Sequence, residues 1–163
     1  MKGPRLRILI PVAILVTLLA PILRQLPGGA QLPDVWLVLL LLSIPVPAPD
    51  SWRRSVHIVI LLGVLRSSVT AISPFSAWAG FGLALFVRET LARRLSEYNP
   101  LLRFVTGFSA AVPLALLDRL AAQQLGTQLS PSDAWIRCLY TGLLMAFFHR
   151  PTRANFLSKG GGR

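Results

Sequence analysis

The sequence predicts an all-α, polytopic membrane protein, a compact bundle of about six transmembrane helices. Two observations carry this. First, the 163-residue chain is 53% hydrophobic, with a mean hydropathy of +0.60. Its apolar residues lie in blocks, not at the amphipathic spacing of a soluble domain. The blocks are Leu6–Leu23, Val35–Ile44, Val56–Leu65, Phe75–Val87, Leu101–Leu117 and Ala134–Phe148. Long apolar runs with few charges are what a bilayer selects. Second, seventeen Lys and Arg against six Asp and Glu give a net charge of +11. The arginines form neither one face nor one tail; they sit at the ends of the blocks, as the basic loops of cytoplasmic connections do. That placement argues against nucleic acid as a partner.

Helix 1 is expected over Leu6–Leu23. The start, MKGPRLRILIPVAILVTLLAPIL, has the basic head and apolar body of a signal peptide, and Gly28–Ala30 would serve as a cleavage site. Its apolar run is longer than the roughly 7–15 residues of a signal core, so the segment is read as a retained helix. The turn-rich RQLPGGAQLP leads to helix 2 at about Pro33–Val46, stopped by PVPAP. Helix 3 follows at about Ser55–Ile72, helix 4 at Pro74–Leu91, helix 5 at Leu101–Ala121 and helix 6 at Asp133–His149. Residues 1–149 are thus one transmembrane domain, and 150–163 a polar, basic cytoplasmic tail.

Charge tests the count. With a cytoplasmic N-terminus and six crossings, Lys2, Arg5, Arg7, Arg53, Arg54, Arg88, Arg93, Arg94 and Arg103 fall inside. So do Arg150, Arg153, Lys159 and Arg163, making thirteen of seventeen, while Arg24, Arg66, Arg119 and Arg137 fall outside. Were helix 2 not to cross, only six would remain inside. The positive-inside rule therefore selects six crossings with both termini cytoplasmic. A helix over Pro33–Val46 rises only about 21 Å against a hydrocarbon core of about 30 Å. Helices 2 and 3 are therefore either short spans or a re-entrant pair, and the charge count is nearly the same for both.

Small residues recur at i, i+4 on the last three helices: Ser76, Gly80 and Ala84; Gly107, Ala111 and Ala115; Cys138, Gly142 and Ala146. Such rows let helix backbones approach where lipid offers no hydrophobic drive, so helices 4, 5 and 6 are expected to pack closely. Single small residues of this kind are also common by chance.

The chain holds no GxSxG, HExxH, Walker loop or paired carboxylates, and its single cysteine, Cys138, excludes an internal disulfide. GFSAA at Gly107–Ala111 lacks the second glycine of an intramembrane serine-protease motif, and His57 and His149 fall at the wrong depth for Ser109. Neither a catalytic site nor a bound cofactor or metal is expected. What stands out is charge inside apolar helices: Arg66 in LLGVLRSSVTAISP, and the pair Asp118–Arg119. Ionisable groups in such places cost several kcal/mol unless they are paired or near an interface. In the six-helix arrangement their depths agree, so Asp118 is a candidate counter-ion for Arg66. Arg119 then snorkels outward, and Ser67 and Ser68 share the hydrogen-bonding load of Arg66. The alternative is that Arg66 reaches outer-leaflet phosphates.

Taken together, the chain resembles the rod shape-determining MreD family of bacteria over almost its whole length. LPDVWLVLLLL, Leu32–Leu42, is similar to that family's Arg-Pro-Asp/Asn-led second helix, with Leu32 in place of the arginine. ISPFSAWAGFGLALFVRETLARRL, Ile72–Leu95, is similar to its small-residue turn, apolar helix and basic loop. VPLALLDRL, Val112–Leu120, is similar to its later helix ending in an aspartate, here Asp118. The family's aspartate at the end of helix 3 and its following Leu-Gly are replaced by Arg66 and Ser76. The resemblance implies a non-enzymatic scaffold of the cell-wall elongation machinery in the bacterial inner membrane. Its partners would be the bitopic protein MreC, the MreB filament and peptidoglycan synthases. The basic loop Arg88, Arg93, Arg94 and Arg103 could meet anionic lipid or filament, or serve only as a topology signal. A second reading is the substrate-binding membrane subunit of an energy-coupling-factor transporter, with Arg66, Ser67, Ser68, Asp118 and Arg119 lining a ligand pocket.

Overall fold

Helix starts are written by proline and short polar residues. The computed structural model describes residues 6–44, 52–70, 72–94, 99–126 and 130–148. Among them are α1 Leu6–Gln25, a 3-10 turn at Gly29–Gln31, α2 Val35–Ser43, α3 Trp52–Ser67, α4 Pro74–Arg94, α5 Pro100–Gln124 and α6 Pro131–Phe148, with no strand. Pro74, Pro100 and Pro131 each open a helix, where a missing N–H leaves nothing unsatisfied and φ is already set. Asn99 caps α5 through Oδ1, which accepts from the Leu101 N–H at 2.9 Å, and Asp34 caps α2 by accepting from Leu37 N–H at 3.0 Å. Gly126, with φ of 71°, takes the left-handed position just past α5.

The short elements end earlier than expected. α2 stops at Ser43 because Ile44 is extended, with φ −101° and ψ 114°; Pro45 follows it, and a residue before proline avoids the helical region. The expected end of helix 2 at Val46 lies outside the described residues. α3 stops at Ser67, five residues short of Ile72. Hydroxyls take its last carbonyls: Ser67 Oγ donates to Val64 O at 2.9 Å, Ser68 Oγ to Leu65 O at 2.7 Å and Thr70 Oγ1 to Arg66 O at 2.9 Å. Conversely α4 continues to Arg94 and α5 to Gln124, because helical hydrogen bonding outlasts the apolar run where the residues are good helix formers.

α2 is apolar all round and lies inside the bundle, touching α1, α3, α4 and α6. Its Trp36, Leu37, Leu40 and Leu41 are buried, with Phe81 of α4 and Leu114 of α5 in the same core. α5 packs on both α4 and α6. At the α5–α6 contact a Cβ on Gly107 would stand 2.7 Å from Met145 Cβ and 3.2 Å from Gly142 Cα, and one on Gly142 would stand 3.0 Å from the Phe104 carbonyl. A Cβ on Gly80 would collide with the Leu114 side chain across the α4–α5 contact. Of the other small residues, Ala84, Ala111 and Cys138 are buried, and Ser76, Ala115 and Ala146 half-buried.

The outside is as apolar as the inside. Every helix exposes large hydrophobic side chains, among them Leu18 on α1, Ile60 on α3, Phe86 on α4, Leu116 on α5 and Phe147 on α6. Among the described residues two helices are long and apolar enough to cross a membrane, Ile8–Gln25 and Pro100–Gln124. Only 22% and 28% of their apolar windows are buried, unlike the core helix of a soluble domain. The tail 150–163 lies outside the described residues.

Candidate functional site

The last turn of α3, the first residue before α2 and the final third of α5 meet at one end of the bundle. They bring together Asp34, Arg66 and Asp118. Arg66 is only 1% exposed. Its Nε donates to Asp34 Oδ2 at 2.6 Å, and its Nη2 donates to Asp118 Oδ1 at 2.7 Å and Oδ2 at 2.6 Å. Asp34 Oδ1 is already occupied by the α2 cap. All four carboxylate oxygens are therefore engaged, and of the Arg66 guanidinium nitrogens Nη1 has no hydrogen-bond partner among the described residues. Charged hydrogen bonds of this length are the strong class, and removing one member of a buried ion pair costs about 3–5 kcal/mol.

Neighbouring groups complete the layer. The Arg66 guanidinium lies 6.0 Å from the Phe81 ring centroid. Trp36 in the first turn of α2 donates through Nε1 to Thr17 Oγ1 of α1 at 3.0 Å, and the Arg24 guanidinium sits 5.5 Å above the Trp36 ring. Thr17 Oγ1 in turn donates a hydrogen bond to the Ala13 carbonyl at 2.7 Å. At the α6 side Gln31 Nε2 donates to Asp133 Oδ1 at 3.4 Å. Five helices are thereby tied at one level: α1 through Thr17 and Arg24, α2 through Asp34 and Trp36, α3 through Arg66, α4 through Phe81, and α5 through Asp118.

The structure brings Arg66 and Asp118 together and turns Arg119 outward, where it is exposed. Ser67 and Ser68 take no share of the arginine: their hydroxyls donate to carbonyls of their own helix. The second bond to Arg66 comes from Asp34. That residue follows a proline and precedes an apolar run, which reads as a helix cap; nothing in the sequence announces that its other oxygen serves a charge 32 residues away.

The expected basic loop does not include Arg88. Arg88 is not in a loop; it lies within α4, 1% exposed, and its Nη1 donates to the Ile44 carbonyl at 2.8 Å. The physical reason is that Ile44 ends α2, so its carbonyl has no helical N–H, and a cation at a helix C-terminus is favoured. Arg93 and Arg94 close α4, and their side chains lie outside the described residues. Arg103 is in the first turn of α5 and half-buried. Buried arginine chemistry thus marks both ends of α2, which rises about 15 Å between Asp34 and Ile44.

Cys138 is buried in the α5–α6 contact, and Ser109 is half-buried on α5. No group of three or more His, Cys, Asp and Glu among the described residues is placed to hold a metal ion. Comparison with protein-family models, curated proteins and solved structures finds no match.

Proposed function

We propose that the chain is a six-crossing inner-membrane protein with both termini in the cytoplasm, and that it acts as a non-enzymatic scaffold of MreD type in cell-wall elongation. The observation that carries the proposal is the inverted distribution of polarity. Arg66, Asp118 and Arg88 are buried while leucine, isoleucine and phenylalanine side chains are exposed along α1, α3, α4, α5 and α6. In water this would leave a large apolar surface unprotected; in lipid it is the favoured arrangement, because ions then pair inside and hydrocarbon meets hydrocarbon.

The scaffold role draws on the resemblance of Leu32–Leu42, Ile72–Leu95 and Val112–Leu120 to the MreD family, and on how the charges are used. A transporter subunit needs polar groups that face a ligand. Here Arg66, Asp34 and Asp118 face one another, which suits a part that holds a fixed shape and presents its surface to others. MreC-like bitopic protein is the first expected partner, with the MreB filament, peptidoglycan synthases and anionic lipid at the cytoplasmic side.

The test is affinity capture of the full chain from a rod-shaped host in mild detergent. An MreC-like protein should be retained at near-equal amounts and lost with Arg66→Leu. Capture of no such protein, together with a co-purified small solute, would put the transporter reading in its place.

A further inference from the structure

A slot between α5 and α6 opens beside the ionic layer. Val112, Leu116 and Arg119 line it from α5 at i, i+4 and i+7, and Ala134, Trp135 and Cys138 line it from α6, around a cavity of about 50 Å³. From Val112 to Arg119 the helix rises about 10 Å, so the slot runs inward from the level of Asp118. Its walls are apolar except for Arg119. That side chain is exposed and makes no hydrogen bond or ion pair among the described residues.

Trp135 walls the slot further in, toward Phe108, and is 57% exposed. Its ring stacks on Phe108, with centroids 6.1 Å apart and planes at 13°, and Phe108 stacks in turn on Phe104 at 6.0 Å. This side is therefore a braced aromatic wall and not a mobile side chain. Arginine at one end, with an apolar, aromatic-walled trough running inward from it, matches the order of a phospholipid: phosphate, then hydrocarbon. A guanidinium can bind phosphate through two parallel N–H donors. A cavity of about 50 Å³ cannot take a partner helix, whose diameter with side chains is about 10–12 Å.

We propose that this slot binds one anionic phospholipid of the outer leaflet, its phosphate on Arg119 and one acyl chain along Val112, Leu116 and Cys138. The proposal rests on the six-crossing reading, which puts Arg119 on the outer side of the membrane, and not on the scaffold role.

The test uses purified full-length protein in nanodiscs made with phosphatidylglycerol or phosphatidylethanolamine, followed by native mass spectrometry of retained lipid. Phosphatidylglycerol should be retained in preference, and Arg119→Gln should lower its retention about fivefold, the effect of about 1 kcal/mol for one basic side chain at an anionic surface. Leu116→Trp, which fills the slot without touching the charge, should lower it as well. Phosphatidylglycerol with a photoreactive acyl chain should mark residues 112–119 and 131–138. Equal retention of the two lipids, no effect of either variant, labelling spread evenly over exposed α1, or the slot crosslinking to a partner protein instead would each overturn the proposal. Loss of MreC-like capture would leave these readings unchanged, so failure here and failure of the scaffold role are separable.

Discussion

Arg66 donates to two carboxylates, and the two pairings are not equivalent. The Asp118 pair uses both oxygens on one nitrogen, whereas Asp34 divides its oxygens between Arg66 and the start of α2. Asp34→Asn keeps an acceptor for the Leu37 N–H; Asp34→Ala loses cap and counter-ion together. The alanine variant should be less stable than the asparagine variant by about 1 kcal/mol, the worth of a helix cap, read from unfolding midpoints in detergent. Arg66→Leu should cost more than either, about 3–5 kcal/mol, since it strands two buried carboxylates. Adding Asp118→Leu to Arg66→Leu should recover part of that loss. Strictly additive losses in this cycle would mean that the observed contact carries no coupling energy.

At the scale of elements, the glycines separate helix contacts that can yield from those that cannot. A methyl group on Gly107 meets the Gly142 backbone and the Met145 Cβ, neither of which can move without shifting a helix. One on Gly80 collides with the end of the Leu114 side chain, which has other rotamers, while Leu117 Cδ1 at 3.4 Å and Leu114 Cα at 3.7 Å lie at ordinary contact distance. One on Gly82 meets nothing within 4 Å. Alanine scanning should therefore give Gly107→Ala as the most destabilising, about 1–3 kcal/mol as for overpacking, with Gly80→Ala milder. Gly82→Ala should be neutral or stabilising by up to about 1 kcal/mol through helix propensity. A melting series in which Gly82→Ala ranks below Gly107→Ala would sink this account of the α5–α6 contact. Gly63 belongs with this group although it lies outside the small-residue rows. A side chain there would collide with the Trp78 indole, whose Nε1 donates to the Ile60 carbonyl at 3.2 Å.

At the scale of the whole molecule, the proposed six crossings fix where both ends lie, and the proposed scaffold role fixes what the bundle does as a unit. A green fluorescent protein fused after Arg163 should fluoresce, and alkaline phosphatase inserted near Gly28 should be active, because each reporter works on one side of the membrane only. Phosphatase activity both near Gly28 and at the C-terminus would require an odd number of crossings and remove the six-span reading. Depletion from a rod-shaped host should give round, widening cells that still divide. If the contribution is shape rather than chemistry, Gly107→Leu should reproduce that phenotype and Ser109→Ala should leave rods intact. Rods persisting after complete depletion, in a host with no second copy, would count against the elongation role.

All-helical architecture and the order of six helices were legible in the sequence. Apolar blocks and proline-led starts act within a few residues of where they are written, and backbone hydrogen bonding in an apolar setting leaves few alternatives. The pairing of Arg66 with Asp118 was legible as compatibility of depth, since charges within apolar helices need partners. Asp34 was not legible as that arginine's second partner, and Arg88 read as a loop residue when it is a buried cap on Ile44. Both depend on where the short, wholly apolar α2 sits among its neighbours. With no polar face, α2 carries no stripe that states which helices will surround it. Its ends meet Arg66 and Arg88 only once the bundle has closed, so tertiary packing alone decided which charges its two termini would receive.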